Sequence, residues 1–478
     1  MNGDFSRNTF RPQMHYSGVL MQQGRVLLDS DWNEQVAIFN HYFRLLARDL
    51  IGPYGGPELN NGFKILTNNA QESSNIDLRH NFWIGPGRYY VDGLLCENDS
   101  FKLYAPTGTG TGVNQSDWIP KKWDADGPYL VYLDVWERHV TALEDQAIRE
   151  VALGPQGPDT ATRVKTVWQV KAVPFTDESF NCGNSVEGIN SPIHGGWSKL
   201  LKMLEPEYRG LLQAKADEPD DINATNPCII SPDAHYRGAE NQLYRVEIHE
   251  GGQPGNATFK WSRENGSVGL PIRSISGNKV ILDHMGRDER FSLQVGDWVE
   301  VEGVNYESQE RDTVSPLLKV EEVNYVDMFV LLSGSPETND QGRILRRWDQ
   351  KAGDPLIGGS ELRNGAVLIK ETTSGDNWLT LEDGVQIQFQ QSKAGNIYRR
   401  GDYWIIPART ATGDVEWPGP LNAPEAIAPH GVEHHYAPLA RIRVQNNSVI
   451  EVVDLRRVFR QLAVCELSEV TPNGPIGV

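Results

Sequence analysis

Short β-prone stretches recur along most of this 478-residue chain, and they constrain its fold more than any other feature. Residues 129–136, 162–173 and 244–249 are examples that are rich in Val, Tyr, Trp and Ile, and clusters of Gly, Pro and Asn separate such stretches. Regular short strands broken by turn residues are typical of β-sandwiches and small barrels. The sequence therefore predicts a mainly β protein with several β-sandwich or small-barrel modules.

One long helix is predicted near the N-terminus, over residues 31–51. Asp31 and Glu34 form a capping-box pattern at its start, and Gly52 and Pro53 end it. Spacings of 4, 3, 4, 3 and 4 place six apolar residues on one stripe: Trp32, Val36, Phe39, Phe43, Leu46 and Leu50. A second, flanking stripe consists of Ile38, Tyr42 and Leu45. The simpler interpretation is burial against the chain's own sheet, and the alternative is a contact with another subunit.

Changes in composition divide the chain into five consecutive segments. The expected domains are an N-terminal arm and helix (1–60), a first β module (61–180), an irregular connector (181–240), a second β module (241–345) and a third β module (346–478). The connector contains a predicted short helix at residues 197–204 and an acidic stretch at residues 217–221.

An excess of acidic residues limits the partners of the chain. Its 45 Lys and Arg against 64 Asp and Glu give a net charge of −19, which repels the phosphates of nucleic acids and anionic lipids. No apolar run reaches the roughly 18 residues of a membrane-spanning helix, and the N-terminus lacks the apolar core of a secretory signal. The cysteines show no CxxC spacing and no disulfide framework: Cys96, Cys182, Cys228 and Cys465. We therefore expect a protein made in the cytoplasm that binds no nucleic acid and does not insert into a membrane.

No motif of a familiar catalytic site is present in the sequence. The chain contains no P-loop, no Gly-x-Ser-x-Gly elbow and no His-Glu-x-x-His zinc motif. We therefore expect a protein that is not an enzyme, with no catalytic, cofactor-binding or metal-binding residues and no cofactor.

A histidine cluster near the C-terminus is one candidate ion site. His430, His434 and His435 surround Glu433, and imidazoles at this density can bind Zn²⁺. Pro429 and other nearby prolines predict a loop here, without the regular spacing of a helical metal site. We expect these three histidines to hydrogen-bond to backbone and neighbouring side chains instead.

Two acidic clusters are the other candidate ion sites. Asp29, Asp31 and Glu34 alternate in a way that could hold Ca²⁺. A helix begins at this point, however, so helix capping is the favoured interpretation. The acidic residues 217–221 predict a solvated loop.

A protein that binds or cleaves glycans is the competing functional hypothesis. Exposed tryptophans and paired carboxylates are what such chemistry needs. Candidate side chains for this purpose are Asp124, Asp134, Glu137, Trp123 and Trp136. Their closeness in the sequence does not show that two carboxylates face each other, so this alternative stays open.

The segment around residues 22–35 (QQGRVLLDSDWNEQ) is distinctive. It resembles the opening of a bacterial family of uncharacterised domains associated with phage-tail-like contractile injection systems. Residues 85–93, and residues 401–409 together with 434–440, are similar to later elements of the same proteins. The resemblance implies a structural role, and it brings no catalytic residues.

The N-terminal arm, residues 1–28, is apolar and has no helix start. Its apolar residues are Phe5, Phe10, Met14, Tyr16, Val19, Leu20, Met21 and Val26. An arm of this kind can pair with the sheet edge of another subunit. Burial within its own chain is the alternative, and both interpretations stay open.

Together, the resemblance and the residues predict a structural subunit of a contractile particle, located at an end or at the periphery. Cap adaptor, baseplate extension and fibre attachment are the candidate positions. The expected partners are sheath, tube, cap or baseplate proteins, and a homo-oligomer is expected within the assembly. The particle would assemble in the cytoplasm and leave the cell on lysis.

Overall fold

In a computed structural model of the chain, one long helix near the N-terminus is followed by many short strands. The structure describes residues 2–67, 81–104, 122–123, 125–154, 159–175, 193–205, 208–216, 236–303, 314–336, 344–353, 359–372, 378–393, 395–420 and 423–460. The α-helices in these ranges are α1 (Asp29–Ile51) and α2 (Ile193–Leu204). Single turns of 3-10 helix lie at Pro12–Met14, Glu58–Asn60, Gln146–Ile148 and Val151–Leu153.

The strands are short, apart from three that exceed ten residues. In chain order the first fourteen are β1 (Tyr54–Pro57), β2 (Ile65–Leu66), β3 (Phe82–Ile84), β4 (Gly87–Val91), β5 (Leu94–Asn98), β6 (Lys102–Tyr104), β7 (Gly127–Val140), β8 (Arg163–Pro174), β9 (Leu211–Ala216), β10 (Gln242–Glu250), β11 (Thr258–Ser262), β12 (Gly269–Ser276), β13 (Lys279–Leu282) and β14 (Trp298–Glu302). The others are β15 (Leu317–Asn324), β16 (Phe329–Leu332), β17 (Ile344–Trp348), β18 (Lys351–Ala352), β19 (Gly359–Ser360), β20 (Leu362–Arg363), β21 (Ala366–Leu368), β22 (Glu371–Thr372), β23 (Leu379–Glu382), β24 (Val385–Gln390), β25 (Tyr403–Arg409), β26 (Asp414–Val415), β27 (His434–Gln445), β28 (Ser448–Asp454) and β29 (Val458–Phe459).

The chain forms two compact units, and each is assembled from separate stretches of sequence. The first unit contains Met1–Ile38, Glu137–Lys165 and Lys202–Glu433, and the second contains Phe39–Trp136, Thr166–Leu201 and His434–Val478. The five consecutive segments of the sequence analysis divide the chain differently, and they stay a prediction.

The first unit combines open sheets with a closed barrel. Its largest open sheet has the order β20-β21-β11-β10-β25-β26, and it shares a core with the sheet that β9 and β22 to β24 form. Strands β12 to β17 close a six-stranded barrel in the order β12-β13-β16-β15-β14-β17. The barrel interior is aliphatic, with Val280, Val299 and Val330 fully buried. Side chains that alternate along each strand fill such a barrel from within.

The second unit has one hydrophobic core shared by three sheets. The sheets have the orders β29-β1-β4-β5, β2-β3-β6 and β28-β27-β7-β8. Aromatic rings dominate part of this core, where Phe82 stacks on Tyr104 with ring centroids 4.5 Å apart and Tyr104 stacks on Trp123 at 5.3 Å. Cys96 is a buried free thiol in the same core, and burial raises its pKa.

The predicted fold class is confirmed: the chain is mainly β, with one long N-terminal helix and a small barrel. Two local predictions were wrong. Helix α1 begins at Asp29, so Asp31 lies in its first turn and not at the N-cap. His434 and His435 begin the strand β27, although prolines predicted a loop. Pro438 fits into this strand because the pairing with β7 shifts register there, and a bulge tolerates a residue without an N–H group.

Candidate interaction surface

Helix α1 contacts its own chain on the side of Arg44 and Arg48. The hairpin turn of β4 and β5 consists of Asp92 (φ 46°) and Gly93 (φ 83°), both in the left-handed region that a two-residue hairpin favours. A Cβ atom on Gly93 would lie 2.3 Å from the carbonyl oxygen of Arg44. Glycine is therefore what lets the helix backbone rest on this turn. On the same side, Arg48 Nε lies 4.0 Å from Asp92 Oδ1.

The opposite face of helix α1 is exposed and apolar. We call Trp32, Val36, Phe39, Phe43, Leu46 and Leu50 the apolar face; Trp32 is 74% exposed, Phe43 69% and Leu50 64%. Of the whole helix, only Ser30 and Ile38 are buried. The prediction that this stripe packs against the chain's own sheet was wrong, because the helix turns it away from the residues described. Of the flanking stripe, Ile38 is buried within the chain, as the simpler interpretation expected, whereas Tyr42 and Leu45 are exposed.

The first residues of the N-terminal arm are fixed on the first unit. Asn265 Nδ2 donates a hydrogen bond to the carbonyl of Gly3 (2.9 Å), and the ring of Phe5 meets His139 edge-on. Arg7 forms an ion pair with Glu416 at 2.8 Å. Burial within the chain, one of the two interpretations of the arm, therefore holds for its start.

The rest of the arm is exposed. We call residues 14–28 the outer arm, and its exposed apolar side chains are Met14, Tyr16, Leu20, Met21, Val26, Leu27 and Leu28. The backbone N–H of Val19 donates to Gln35 Oε1 at 2.7 Å, so this segment passes beside the first turns of helix α1. It forms no strand within the chain, and its apolar side chains face solvent.

The acidic residues at the start of helix α1 hold the arm. Asp29 Oδ2 accepts a hydrogen bond from the N–H of Ser6 at 2.9 Å, and Glu34 Oε2 accepts one from the hydroxyl of Thr9 at 2.6 Å. Burial would raise the pKa of Asp29, but the hydrogen bonds from Ser6 outweigh it and keep that pKa below its usual value. These carboxylates position the arm beside the helix.

The three histidines of the predicted cluster have separate partners. His430 Nδ1 accepts a hydrogen bond from the N–H of Ile405 at 3.0 Å. His434 Nδ1 lies 2.6 Å from Asp134 Oδ1, and His435 Nδ1 lies 3.1 Å from Asp92 Oδ2. Neighbouring residues of a strand point to opposite faces, so His434 and His435 diverge. The predicted hydrogen bonds to backbone and neighbouring side chains are confirmed.

A charged network around Asp134 stabilises the interior of the second unit. Asp134 is fully buried, and Lys171 Nζ lies 2.7 Å from its second oxygen. Burial would raise the pKa of the Asp134 carboxyl, but attraction to His434 and Lys171 outweighs it, so the pKa lies below the usual 3.8. The ring of His434 stacks on Trp136 with centroids 4.8 Å apart.

The residues named for glycan chemistry are mostly interior. Trp123 and Trp136 belong to the buried core, and Asp134 is engaged in the network just described. Glu137 is partly buried, and Asp124 lies outside the described residues. Neither tryptophan can therefore present a flat exposed ring to a sugar.

The described residues contain no group of three or more His, Cys, Asp or Glu side chains arranged to hold a metal ion. Among the helices that the structure describes, none is long and apolar enough to cross a membrane. The acidic residues 217–221 lie outside the described part of the chain.

The fold and this surface define a class of protein: mainly β, built in two units, with one long helix whose apolar face is uncovered. The chain belongs to a family of unknown function, DUF6519, whose model matches residues 1–191 and 204–454. No curated protein and no solved structure matches the chain. Family membership therefore extends over both units, and it brings no activity with it.

Proposed function

We propose that the chain is a non-enzymatic structural subunit of a phage-tail-like contractile injection particle, at an end or at the periphery of that particle. One observation carries the structural role: the apolar face of α1 and the outer arm leave large hydrophobic side chains in solvent. Soluble single chains rarely expose contiguous apolar patches larger than a few hundred Å² unless a partner covers them. A subunit of an assembly has such a partner.

The resemblance of residues 22–35 supports the kind of assembly. This segment contains the last part of the outer arm and the beginning of helix α1, so the motif and the exposed surface coincide. Sheath, tube, cap or baseplate proteins would supply the cover, in addition to identical copies. Assembly would take place in the cytoplasm, with release on lysis.

Substitutions in the outer arm test whether this segment attaches the chain to the particle. Leu20 is 91% exposed, so substituting it and Val26 by Asp leaves the fold of the single chain intact while placing charge on the contact. We expect the double variant L20D/V26D to be absent from purified particles, as detected by mass spectrometry. Leu59→Asp is the matched control, because Leu59 is equally exposed but lies outside the arm and the helix. Its chain should co-purify as wild type does.

Negative-stain microscopy of a deletion strain completes the experiment. We expect particles that lack an end or peripheral feature, restored by the wild-type chain but not by L20D/V26D. Particles of normal appearance, together with the absence of the chain from wild-type particles, would contradict the proposed function. Binding of the purified chain to glycans in that case would favour the competing hypothesis.

A further inference from the structure

The six residues of the apolar face repeat every seven residues. Trp32, Phe39 and Leu46 form one series, and Val36, Phe43 and Leu50 form the other. A stripe with this average spacing of 3.5 residues is the narrow seam of a coiled coil, where side chains of one helix insert between those of another. The repeat therefore indicates that the surface that covers helix α1 is itself a helix.

The amount of exposed surface is sufficient for a stable pair. The three aromatic side chains of the apolar face bury roughly 150–250 Å² each when fully covered, and at exposures of 53–74% they offer on the order of 400 Å²; Val36, Leu46 and Leu50 add to this area. A standard protein interface buries about 800 Å² on each partner. The outer arm lies beside the helix at Gln35, and its exposed Leu20 can contribute the remaining area.

The positions that border the seam identify the partner. They are Asn33, Gln35, Asn40, Tyr42, Ala47 and Asp49, and only the last of them carries a charge. Coiled coils between different chains are selected by complementary charges at these positions, and like charges there keep identical chains apart. Helix α1 offers a foreign helix almost no charge to recognise. With a single charge at these positions, two identical helices also meet little like-charge repulsion along the seam.

We propose that the α1 helices of identical copies of this chain pair along the apolar face. The inference rests on the part of the proposed function that makes this helix an assembly surface. It adds the identity of the partner, and it needs no other particle protein for its test.

The test is the mass of the purified full-length chain in solution, measured by light scattering during size-exclusion chromatography at micromolar concentration. We expect the wild-type chain to have at least twice its single-chain mass of 53.5 kDa. Phe43→Asp and, separately, Leu46→Asp should reduce the mass to that of one chain without changing the circular dichroism spectrum. The control Leu59→Asp should keep the wild-type mass.

Two results would overturn the inference. One is a wild-type chain that runs as a single copy, and the other is a Phe43→Asp variant that keeps the wild-type mass. If either result were obtained while L20D/V26D was still absent from particles, the outer arm would attach the chain to the particle, and helix α1 would not be covered by an identical helix. The proposed function would then survive and the pairing of identical helices would not.

Discussion

Aromatic side chains lie in two opposite environments: the buried core of the second unit and the exposed face of helix α1. In the core, Phe82 is completely buried beside the rings of Tyr104 and Trp123, which also stack on each other, and its surroundings are supplied by the same chain. On helix α1, Phe43 is 69% exposed, and only the far side of its helix rests on the hairpin turn. Apolar periodicity therefore shows which side of a helix or strand packs against a partner. It does not show whether that partner belongs to the same chain.

The largest loss of stability is expected from a substitution in the core of the second unit. Phe82→Ala should reduce the free energy of unfolding by about 3–5 kcal/mol, because it leaves a cavity beside the rings of Tyr104 and Trp123. Chemical denaturation followed by circular dichroism measures the change. A loss below 1 kcal/mol would mean that the core of this unit is not packed as described.

Substitution of the buried Asp134 is expected to cause the second-largest loss of stability. The size of this loss depends on pH. Asp134→Asn should reduce the free energy of unfolding by about 3 kcal/mol near neutral pH, because Lys171 and His434 lose a buried partner. Since folding lowers the pKa of Asp134 below 3.8, its contribution is complete above that value and is lost as the pH falls through the lower pKa of the folded state. The difference between wild type and variant should therefore narrow below about pH 4. A difference that stays constant down to pH 2 would contradict this role.

A moderate loss of stability is expected from a substitution in the turn that supports helix α1. Gly93→Ala should reduce the free energy of unfolding by at least about 2 kcal/mol, because the new methyl group meets the backbone of Arg44 and the residue must also keep a positive φ. Gly277→Ala is the matched control, because Gly277 has φ +60° in the turn between β12 and β13 with open space around it. Gly277→Ala should reduce the free energy of unfolding by about 1 kcal/mol.

Amide hydrogen exchange distinguishes the two glycines further. Exchange in helix α1 should accelerate in Gly93→Ala and not in Gly277→Ala. Equal acceleration in both variants would show that the helix does not depend on this turn.

The smallest effect on folding is expected at the exposed face. Phe43→Ala should change the free energy of unfolding of the single chain by no more than about 0.5 kcal/mol, because the ring is mostly in solvent already. The measurement uses dilute protein, where association does not contribute to stability. A loss as large as that of Phe82→Ala would mean that the helix packs into its own chain after all.

Much of the fold could be predicted from the sequence because its signals are local. Strands such as β7 and β16 are rich in β-branched and aromatic residues. Strand β9 was not predicted: its inward residues include Ala214 and Ala216, which have low strand propensity, and its place depends on pairing with the distant β24.

The candidate surface could be predicted only in part, because the orientation of the helix depends on long-range contacts. The apolar stripe of α1 was evident from its spacing, but Gly93 lies far from Arg44 in the sequence and decides which side faces the chain. The small residues Ser30 and Ala37 precede Arg44 by two and one heptads, so they lie on the same side of the helix as Arg44, and their size was a signal for that orientation. Likewise, the fixed start of the arm depends on Asn265, which no local pattern connects with Gly3.

Radical labelling of Trp32 tests most directly whether the apolar face is an interface. The wild-type chain and Phe43→Asp would be labelled at the same concentration, and the labelled residues identified by mass spectrometry. We expect Trp32 to be protected in wild type and to react strongly in the variant, while Leu59, which is 85% exposed, reacts equally in both. Equal and strong labelling of Trp32 in the two proteins would contradict the existence of a partner helix on this face.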